Sequence, residues 1–420
     1  MSLEWKKYID DPRQVCKYGG KCYQKNPVHH QSFKHPPNLN KGRVSPRFQP
    51  YMRKQKVAHD SFHSKDKEAD MIPEQSKRKD DEVGSSTSEL KVDNEKFPKD
   101  HVPVLPENIT FLDVSKDNSV LKDLFLVEMP TDFFKFYEML GDSLSAIEKS
   151  LSSVNLEMIG PFDLLLGKLP KLDNKSLYLI HWRFFYDPPE FQAVLKRKGK
   201  SEFHIGYYRD NPDQQPVFVA SSDSAKDCHI TPISDNLFGA VYQYLQKEKK
   251  SSPFVSIACE KLMEKIKKAA SDNGYSLEEY NMKKRWAVAV TKTFHGAGIV
   301  VPVEKKTQVG YRHLVEKDGK IKQLFTQLEN AQSDSDRDRI LSELQPVITY
   351  ANIAVDECDF GTGLELGIDL FCSGLKVLEG NTVCSLTSAY SLLKRDAFAK
   401  IIEVHMKYRR RGSNMSILNW

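Results

Sequence analysis

Within the first 35 residues, Cys16, Cys22, His29 and His35 fall in the spacing C-x5-C-x6-H-x5-H, and no other feature limits so sharply what this chain can fold into. Two thiols and two imidazoles on a short, loop-rich segment read as one closed zinc site. Zinc takes sulfur and nitrogen in tetrahedral geometry, and a structural site fills all four positions with protein and leaves none for catalysis. The segment is therefore a binding device. So small a unit buries too little apolar surface to fold alone, so metal binding is expected to supply most of its folding free energy, on the order of 10 kcal/mol. His30, beside His29, is read as a bystander, although the pair leaves open which ring ligates. A purely structural zinc knob is the plainer alternative.

Charge is uneven along the chain. Residues 1–59 hold thirteen Lys or Arg against three Asp or Glu, a net of +10, while the whole chain carries +5, so the remaining 361 residues carry −5. A basic arm of this kind suits a polyanion such as DNA, RNA or poly(ADP-ribose), and it equally suits a solvated charged tail. No apolar run approaches the length of a membrane span and no secretory signal precedes the finger. The expectation is a chain that neither spans a membrane nor is secreted. Seven cysteines, two of them in the zinc site, do not make a disulfide framework, so Cys228, Cys259, Cys358, Cys372 and Cys384 are expected to be reduced thiols, mostly packed.

Between residues 39 and 101 the sequence loses periodicity and mixes Lys, Ser, Asp, Glu and Pro in near balance, which reads as a disordered linker. Arg53-Lys54-Gln55-Lys56 and Lys77-Arg78-Lys79 within it have the composition of nuclear targeting signals. From about residue 102 the apolar pattern returns, with length enough for one large or two packed domains. A helix is expected over Thr131–Leu140, capped by Thr131 or Asp132 after Pro130, with Phe133, Phe136, Tyr137 and Leu140 on one face. Strands are expected at 177–185, 203–208 and 216–220, then helices at 235–247 and 258–270, and a strand pair at 287–294 and 298–303. From Asp318 onward the pattern is helical, with Leu324, Leu328, Leu341, Leu344, Ile348, Leu364, Leu366, Leu370, Leu392 and Ile401 as core. The fold class is α+β: a small N-terminal zinc finger, a disordered linker, then a globular body with an early antiparallel or mixed sheet and a mostly helical C-terminal part.

Several motifs fail on inspection. Asp359-Phe360-Gly361 copies the metal-binding tripeptide of protein kinases, but the kinase catalytic loop and the Gly-rich loop with its Lys are missing upstream. Gly361-x-Gly363-x-x-x-Gly367 is one residue too long for a dinucleotide fingerprint. What remains is the acidic run Asp356-Glu357-Cys358-Asp359, followed by Glu365 and the apolar stretch Leu366–Cys372. Charges so close to a core segment are costly unless they cap a helix, pair with a cation or work in a site. Carboxylates opening a helix complement its dipole, and on residue chemistry alone that is the leading explanation. Gly310-Tyr311-Arg312 is the nearest unattached basic motif, a turn able to project an Arg toward an acidic partner.

Two resemblances sharpen this picture. The segment from Cys16-Lys17-Tyr18-Gly19 through Cys22-Tyr23-Gln24 to His29, closing at Phe33-Lys34-His35-Pro36, resembles a poly(ADP-ribose)-binding zinc finger, with Gln24 where that family usually has Arg. The resemblance implies that Tyr18 and Tyr23 cradle an adenine and that basic residues, Arg13 among them, hold pyrophosphate, by stacking and by charge. The body, from about residue 120 to 405, resembles the histone PARylation factor family. It does so on long strings: Gly160-Pro161-Phe162-Asp163-Leu164, the run from His181-Trp182-Arg183 to Glu190-Phe191-Gln192, Gly206-Tyr207-Tyr208-Arg209-Asp210, Thr291–Gly298, Val309-Gly310-Tyr311-Arg312 and Asp356–Gly361.

The second resemblance implies an accessory factor that is not an enzyme alone. It binds the catalytic domain of a DNA-damage poly(ADP-ribose) polymerase, which itself holds NAD, and directs ADP-ribosylation to serine on histones, in the nucleus and on chromosomes at damage sites. Glu357 then looks like the catalytic carboxylate, while Tyr311, Arg312 and Asp356 belong to the polymerase-contacting surface, Arg312 also being able to neutralise Asp356. A Glu within hydrogen-bond reach of a serine hydroxyl can contribute roughly 10²- to 10⁴-fold as general base. The organisation implied is a finger at 10–38, a linker at 39–101, an α/β part at 102–250 and a mostly helical part at 251–408 carrying the Glu. Two alternatives stay open: a non-catalytic poly(ADP-ribose) reader or scaffold, and a nucleic-acid-binding zinc-finger protein.

Overall fold

Two short strands close the N-terminal segment on itself. β1 (Gln14–Val15) runs parallel to β2 (Phe33–Lys34), and the short helix α1 (Pro27–Ser32) leads directly into β2. The Cys16 N–H extends the pairing by donating to the Lys34 carbonyl at 3.0 Å. The structure, a computed structural model, describes residues 8, 11–16, 27–35, 102–141 and 143–420. Cys22, Tyr18, Tyr23, Gln24 and the 39–101 linker lie outside the described residues. The chain divides into the units Met1–Thr87 and Ser88–Trp420.

In the second unit α2 (Asn118–Phe125), α3 (Thr131–Leu140) and α4 (Leu144–Ser152) precede the sheet. The helix expected at Thr131–Leu140 is present, but neither Thr131 nor Asp132 caps it by side chain. Asp132 is buried instead, its Oδ2 accepting from the Tyr207 hydroxyl at 3.0 Å and from the Leu237 N–H at 2.6 Å. Desolvation pushes this carboxyl above its ordinary range, opposed by those hydrogen bonds.

The sheet is an antiparallel meander in sequence order: β3 (Leu156–Met158), β4 (Phe191–Arg197), β5 (Phe203–Tyr208), β6 (Phe218–Asp223) and β7 (Thr231–Ser234). The expected strand at 203–208 is β5, and that at 216–220 overlaps β6. The run expected as a strand at 177–185 forms a 3₁₀ helix over Lys175–Ile180. Its apolar residues are buried all round, so their continuous pattern does not separate a strand from a tight helix. Asn174 caps that helix by accepting from the Ser176 N–H. The missed strand β4 hides behind its polar residues. Gln192 and Lys196 are both buried, the latter paired with Glu157 at 2.6 Å, so the alternation that marks a half-exposed strand is lost.

The short helix α5 (Phe162–Leu165) follows β3; α6 (Leu237–Glu248), α7 (Pro253–Asn273) and α8 (Met282–Trp286) follow β7. Ser252 caps α7 by accepting from the Val255 N–H, and Pro253 starts it where a missing N–H costs nothing. The expected strand pair at 287–303 reduces to a single bridge, Thr291 to Ile299. The rest of this segment spends its backbone on turns and on contacts with a helix described below.

The C-terminal helices are α9 (Asp318–Glu329), α10 (Asp334–Asp356), α11 (Phe360–Ser373), α12 (Glu379–Leu392) and α13 (Asp396–Tyr408). The helix α11 is central: every residue from Gly361 to Cys372 is buried. Gly363 and Gly367 allow this, since a Cβ would lie 2.4 Å from Val355 on α10 and 2.7 Å from Leu386 on α12. The glycine pattern that imitates a dinucleotide loop is thus a close helix packing. Most of the expected apolar core is buried, with Leu341 half-buried, whereas Leu392 is exposed on the outer side of α12.

After α13 the chain returns to the sheet side. The Met415 carbonyl accepts from the Trp182 N–H at 2.9 Å, the Ile417 N–H donates to His181 Nδ1 at 3.2 Å, and both Met415 and Ile417 are buried. Arg409 joins the two halves, donating to the carbonyls of Phe185 and Phe371 with its guanidinium 3.8 and 4.1 Å from their rings. Phe371→Ala would delete a fully buried ring and one face of that stack. It should cost about 3–5 kcal/mol in urea unfolding, while Leu392→Ala should stay within about 0.5 kcal/mol.

Candidate functional site

Cys16 follows β1, His29 lies on α1 and His35 follows β2, and their ligand atoms lie within 4.8 Å of one another. Cys16 Sγ stands 3.4 Å from His29 Nε2, which is 3.1 Å from His35 Nε2. Four-coordinate zinc with ordinary bond lengths would set such pairs about 3.3–3.6 Å apart; the sulfur–nitrogen pair meets that spacing, the nitrogen–nitrogen pair is slightly closer, and sulfur with two imidazoles suits that metal's donor set. Desolvation, with the neighbouring His30 and His29, lowers the His35 pKa and favours the neutral ring a metal requires. His30 is exposed and outside this cluster, which favours His29 as the ligating ring. Arg13 is held by Asp11 Oδ1 at 3.0 Å and Oδ2 at 2.5 Å, and its Nη1 donates to the His30 carbonyl. The Arg13 hydrogen bonds hold the Asp11 carboxyl at about 2, below its usual range.

In the second unit the sequence brings Gly310-Tyr311-Arg312 onto the first turn of α11. The Gly361 N–H donates to the Gly310 carbonyl at 2.8 Å, and the Gly310 N–H donates to Asp359 Oδ1 at 2.8 Å. The Thr362 hydroxyl accepts from the Arg312 N–H at 3.0 Å and donates to the Arg312 carbonyl at 2.7 Å. Only glycine fits at 310, where φ is +127° and a Cβ would lie 2.1 Å from the Pro302 carbonyl oxygen. A Cβ at 361 would likewise stand 2.9 Å from the Gly310 carbonyl oxygen.

The acidic run forms the junction between α10 and α11. Asp356 closes α10, Glu357 is its cap residue, Cys358 adopts a left-handed φ of +70°, and Asp359 precedes α11. The Cys358 N–H returns to the Val355 carbonyl at 2.9 Å and the Asp359 N–H to the Ala354 carbonyl at 2.8 Å, the paired bonds of a Schellman ending. This turn sets two carboxylates against one guanidinium. Arg312 Nη2 lies 2.7 Å from Glu357 Oε2, Arg312 Nε lies 3.2 Å from Asp359 Oδ2, and the Tyr350 ring lies 5.3 Å from the guanidinium carbon. Both contacts are ion pairs lying off the N–H directions, without hydrogen-bond geometry. The arrangement faces solvent in part, with the Arg312 and Glu357 side chains 31% and 17% exposed.

Tyr311 turns the other way. Its hydroxyl donates to Glu365 Oε2 at 3.1 Å and lies 3.1 Å from His313 Nδ1, while the Thr291 hydroxyl donates to Glu365 Oε1 at 2.7 Å. Desolvation raises the pKa values of both Tyr311 and Glu365. The structure sets Arg312 against Glu357, a pairing the sequence did not anticipate, with Tyr311 beside them. It departs from expectation at Asp356, which is exposed and not the partner of Arg312: ending α10, its side chain leaves the junction that Glu357 and Asp359 occupy. Sequence reading assigned no role to Thr362 and Tyr350. Their signal was slight, a lone hydroxyl in the first turn of α11 and a ring two turns before the end of α10.

The chain is similar to known proteins in both of its parts. A family model described as Histone PARylation factor 1 matches residues 116–409, and one described as PBZ domain matches residues 13–38. Histone PARylation factor 1 of Bos taurus is 43% identical over 304 residues, covering 68% of this chain and 84% of its own. That of Mus musculus is 40% identical over 319 residues, covering 73% and 91%. A putative histone PARylation factor 1-like protein of Homo sapiens is 38% identical over 314 residues, covering 71% and 88%.

Cys358 occupies the left-handed position that glycine fills at lower cost, by about 1 kcal/mol or more for most residues. Cys358→Gly is therefore expected to stabilise the second unit by up to about 1 kcal/mol, read as a rise in thermal midpoint, because part of the gain is offset by glycine's freedom in the unfolded chain.

Proposed function

The chain belongs to the Histone PARylation factor 1 family and carries a PBZ domain, and on that premise we propose that it works by completing another protein's active site. The chain binds the catalytic domain of a poly(ADP-ribose) polymerase, which holds the NAD, and supplies Glu357 as the general base that directs ADP-ribosylation to serine on histones. The observation that supports this reading best is the partly exposed Glu357 carboxylate, held at the α10–α11 junction by Arg312. A serine hydroxyl is a poor nucleophile until a base takes its proton. Asp359 offers Arg312 a second carboxylate, so the guanidinium keeps an ion pair when Glu357 turns to the substrate. Tyr311, Arg312 and Asp356 form the surface that meets the polymerase, with Asp356 free to reach outward because Arg312 is engaged elsewhere.

The finger, residues 10–38, recruits. Its zinc, held by Cys16, Cys22, His29 and His35, fixes a fold on which Tyr18 and Tyr23 stack an adenine and Arg13 meets pyrophosphate. The linker at 39–101 lets the body, made of an α/β part at 102–250 and a helical part at 251–408, reach the polymerase while the finger holds poly(ADP-ribose) on damaged chromatin in the nucleus. Tethering of this kind raises effective concentration without new contacts at the site. A second reading is favoured by the same ion pairs: Glu357 as a structural clamp at the helix junction, in a reader or scaffold that takes no part in catalysis.

One experiment separates the two. Polymerase, NAD and a histone-tail peptide are incubated with the native chain or its Glu357→Gln form, and the modified residues are mapped by mass spectrometry. The native chain should move modification to serine, and the variant should bind the polymerase yet lose serine modification by roughly 10²- to 10⁴-fold. Equal serine modification by both would leave the clamp reading. Removing the metal with a chelator should abolish retention on immobilised poly(ADP-ribose) while leaving redirection to serine intact, since the ion-paired junction lies in the other unit. Retention that survives complete metal removal would overturn the recruiting role of the zinc site.

A further inference from the structure

A surface pocket of about 340 Å³ lies away from the α10–α11 junction, between the β6–β7 connection and the C-terminal end of α11, with Cys228, His229, Phe294, Lys322, Phe325 and Cys372 on its walls. Cys228 is half-buried and Cys372 buried. The two thiols line the same pocket and interact with each other, while the Cys228 thiol donates to the Phe294 carbonyl at 3.7 Å. These residues are 144 positions apart in sequence and belong to different elements. Nothing in the proposed transfer to serine uses them.

We propose that Cys228 and Cys372 form a reversible dithiol–disulfide pair, a modification site at which hydrogen peroxide is the oxidant. The roles follow from position. Cys228 is the more accessible sulfur, and the hydrogen bond from Cys372, helped by the nearby Lys322 ammonium, lowers its pKa and favours the thiolate that attacks peroxide. Cys372, raised by burial, stays a thiol and resolves. In the first step the Cys228 sulfur attacks one peroxide oxygen, the O–O bond breaks, a sulfenic acid forms and hydroxide leaves. In the second the Cys372 sulfur attacks the sulfenyl sulfur, the S–S bond forms, the S–O bond breaks, and the departing hydroxide takes the Cys372 proton as water. Two thiols and one peroxide become one disulfide and two waters. The new bond ties the β6–β7 connection to α11, the helix that carries the 310–312 loop at its other end.

The test treats the full reduced chain with hydrogen peroxide, blocks remaining thiols, digests without reductant and searches by mass spectrometry for a peptide pair joined through Cys228 and Cys372. The expected product is that pair, two hydrogens lighter than its separate halves and released by dithiothreitol. Cys372→Ser should give no such pair and leave Cys228 as a sulfenic acid trapped by dimedone. Cys228→Ser, on the accessible side and so the safer variant for folding, should leave Cys372 unmodified. Cys358 and Cys384, both exposed, serve as reactive references. Recovery of Cys228 and Cys372 as separate free thiols, or of Cys228 over-oxidised beside an unmodified Cys372, in a native chain whose reference cysteines have reacted, would overturn the proposal.

Discussion

The candidate site depends on one contact, the seating of the 310–312 backbone on the first turn of α11. Thr362 grips Arg312 by both its N–H and its carbonyl, and Gly361 and Asp359 do the same for Gly310. An arginine side chain placed only by its own rotamers would lose much conformational freedom on meeting a carboxylate. Here Thr362 fixes the Arg312 backbone, so the side chain starts from a set position and only its own rotamers remain to be ordered. The first turn of a helix has N–H groups without intrahelical partners, and the Gly310 carbonyl satisfies one of them. A helix end that would otherwise need a cap is thereby converted into the floor of a site.

The same helix organises the polar groups around it. Glu365 and Asp369 lie four residues apart on α11 and are both buried, so they share one face. Glu365 gathers Thr291 and Tyr311, and Asp369 accepts from the Phe294 N–H at 2.8 Å. Together they explain why residues 287–303 do not form the expected strand pair. A strand would spend its N–H groups on a neighbouring strand, whereas this segment spends the Phe294 N–H on a buried carboxylate and uses Tyr208 and Arg285 to satisfy the Gly298 carbonyl. Desolvation pushes both acidic pKa values upward, and Glu365 adds to the rise at Asp369. Two carboxylates in one packed face are supported by the donors that reach them, the Thr291 and Tyr311 hydroxyls at Glu365 and the Phe294 N–H at Asp369.

What was legible in the sequence follows the same physics. Helices from Asp318 onward were legible because their apolar residues recur at a helical period and are buried, the earlier ones in one cluster and the last two in the main core. Strand β5 was legible as well. Strand β4 and the 3₁₀ helix were not, because the apolar residues of each are buried without a readable period, and β4 carries a lysine whose charge is met by Glu157 on the neighbouring strand. At the site, the residue types could be read and the pairings could not. Asp356 and Glu357 are adjacent in sequence, and only the left-handed Cys358, which no composition rule reveals, decides which carboxylates face Arg312. Of the expected metal ligands, Cys16, His29 and His35 come together, and the spacing alone did not decide between the neighbouring His29 and His30 rings.

The two carboxylates beside Arg312 differ in what supports them, and that difference bears on which one can act. Asp359 opens α11, where the helix dipole favours negative charge, and it also accepts the Gly310 N–H. It remains satisfied with or without the guanidinium. Glu357 caps the C-terminal end of α10, where the dipole disfavours its charge, and Arg312 is what offsets that cost. Glu357, the less supported of the pair and the one nearer solvent, therefore depends on Arg312 for its place at the junction, while Asp359 holds the loop through the Gly310 N–H as well.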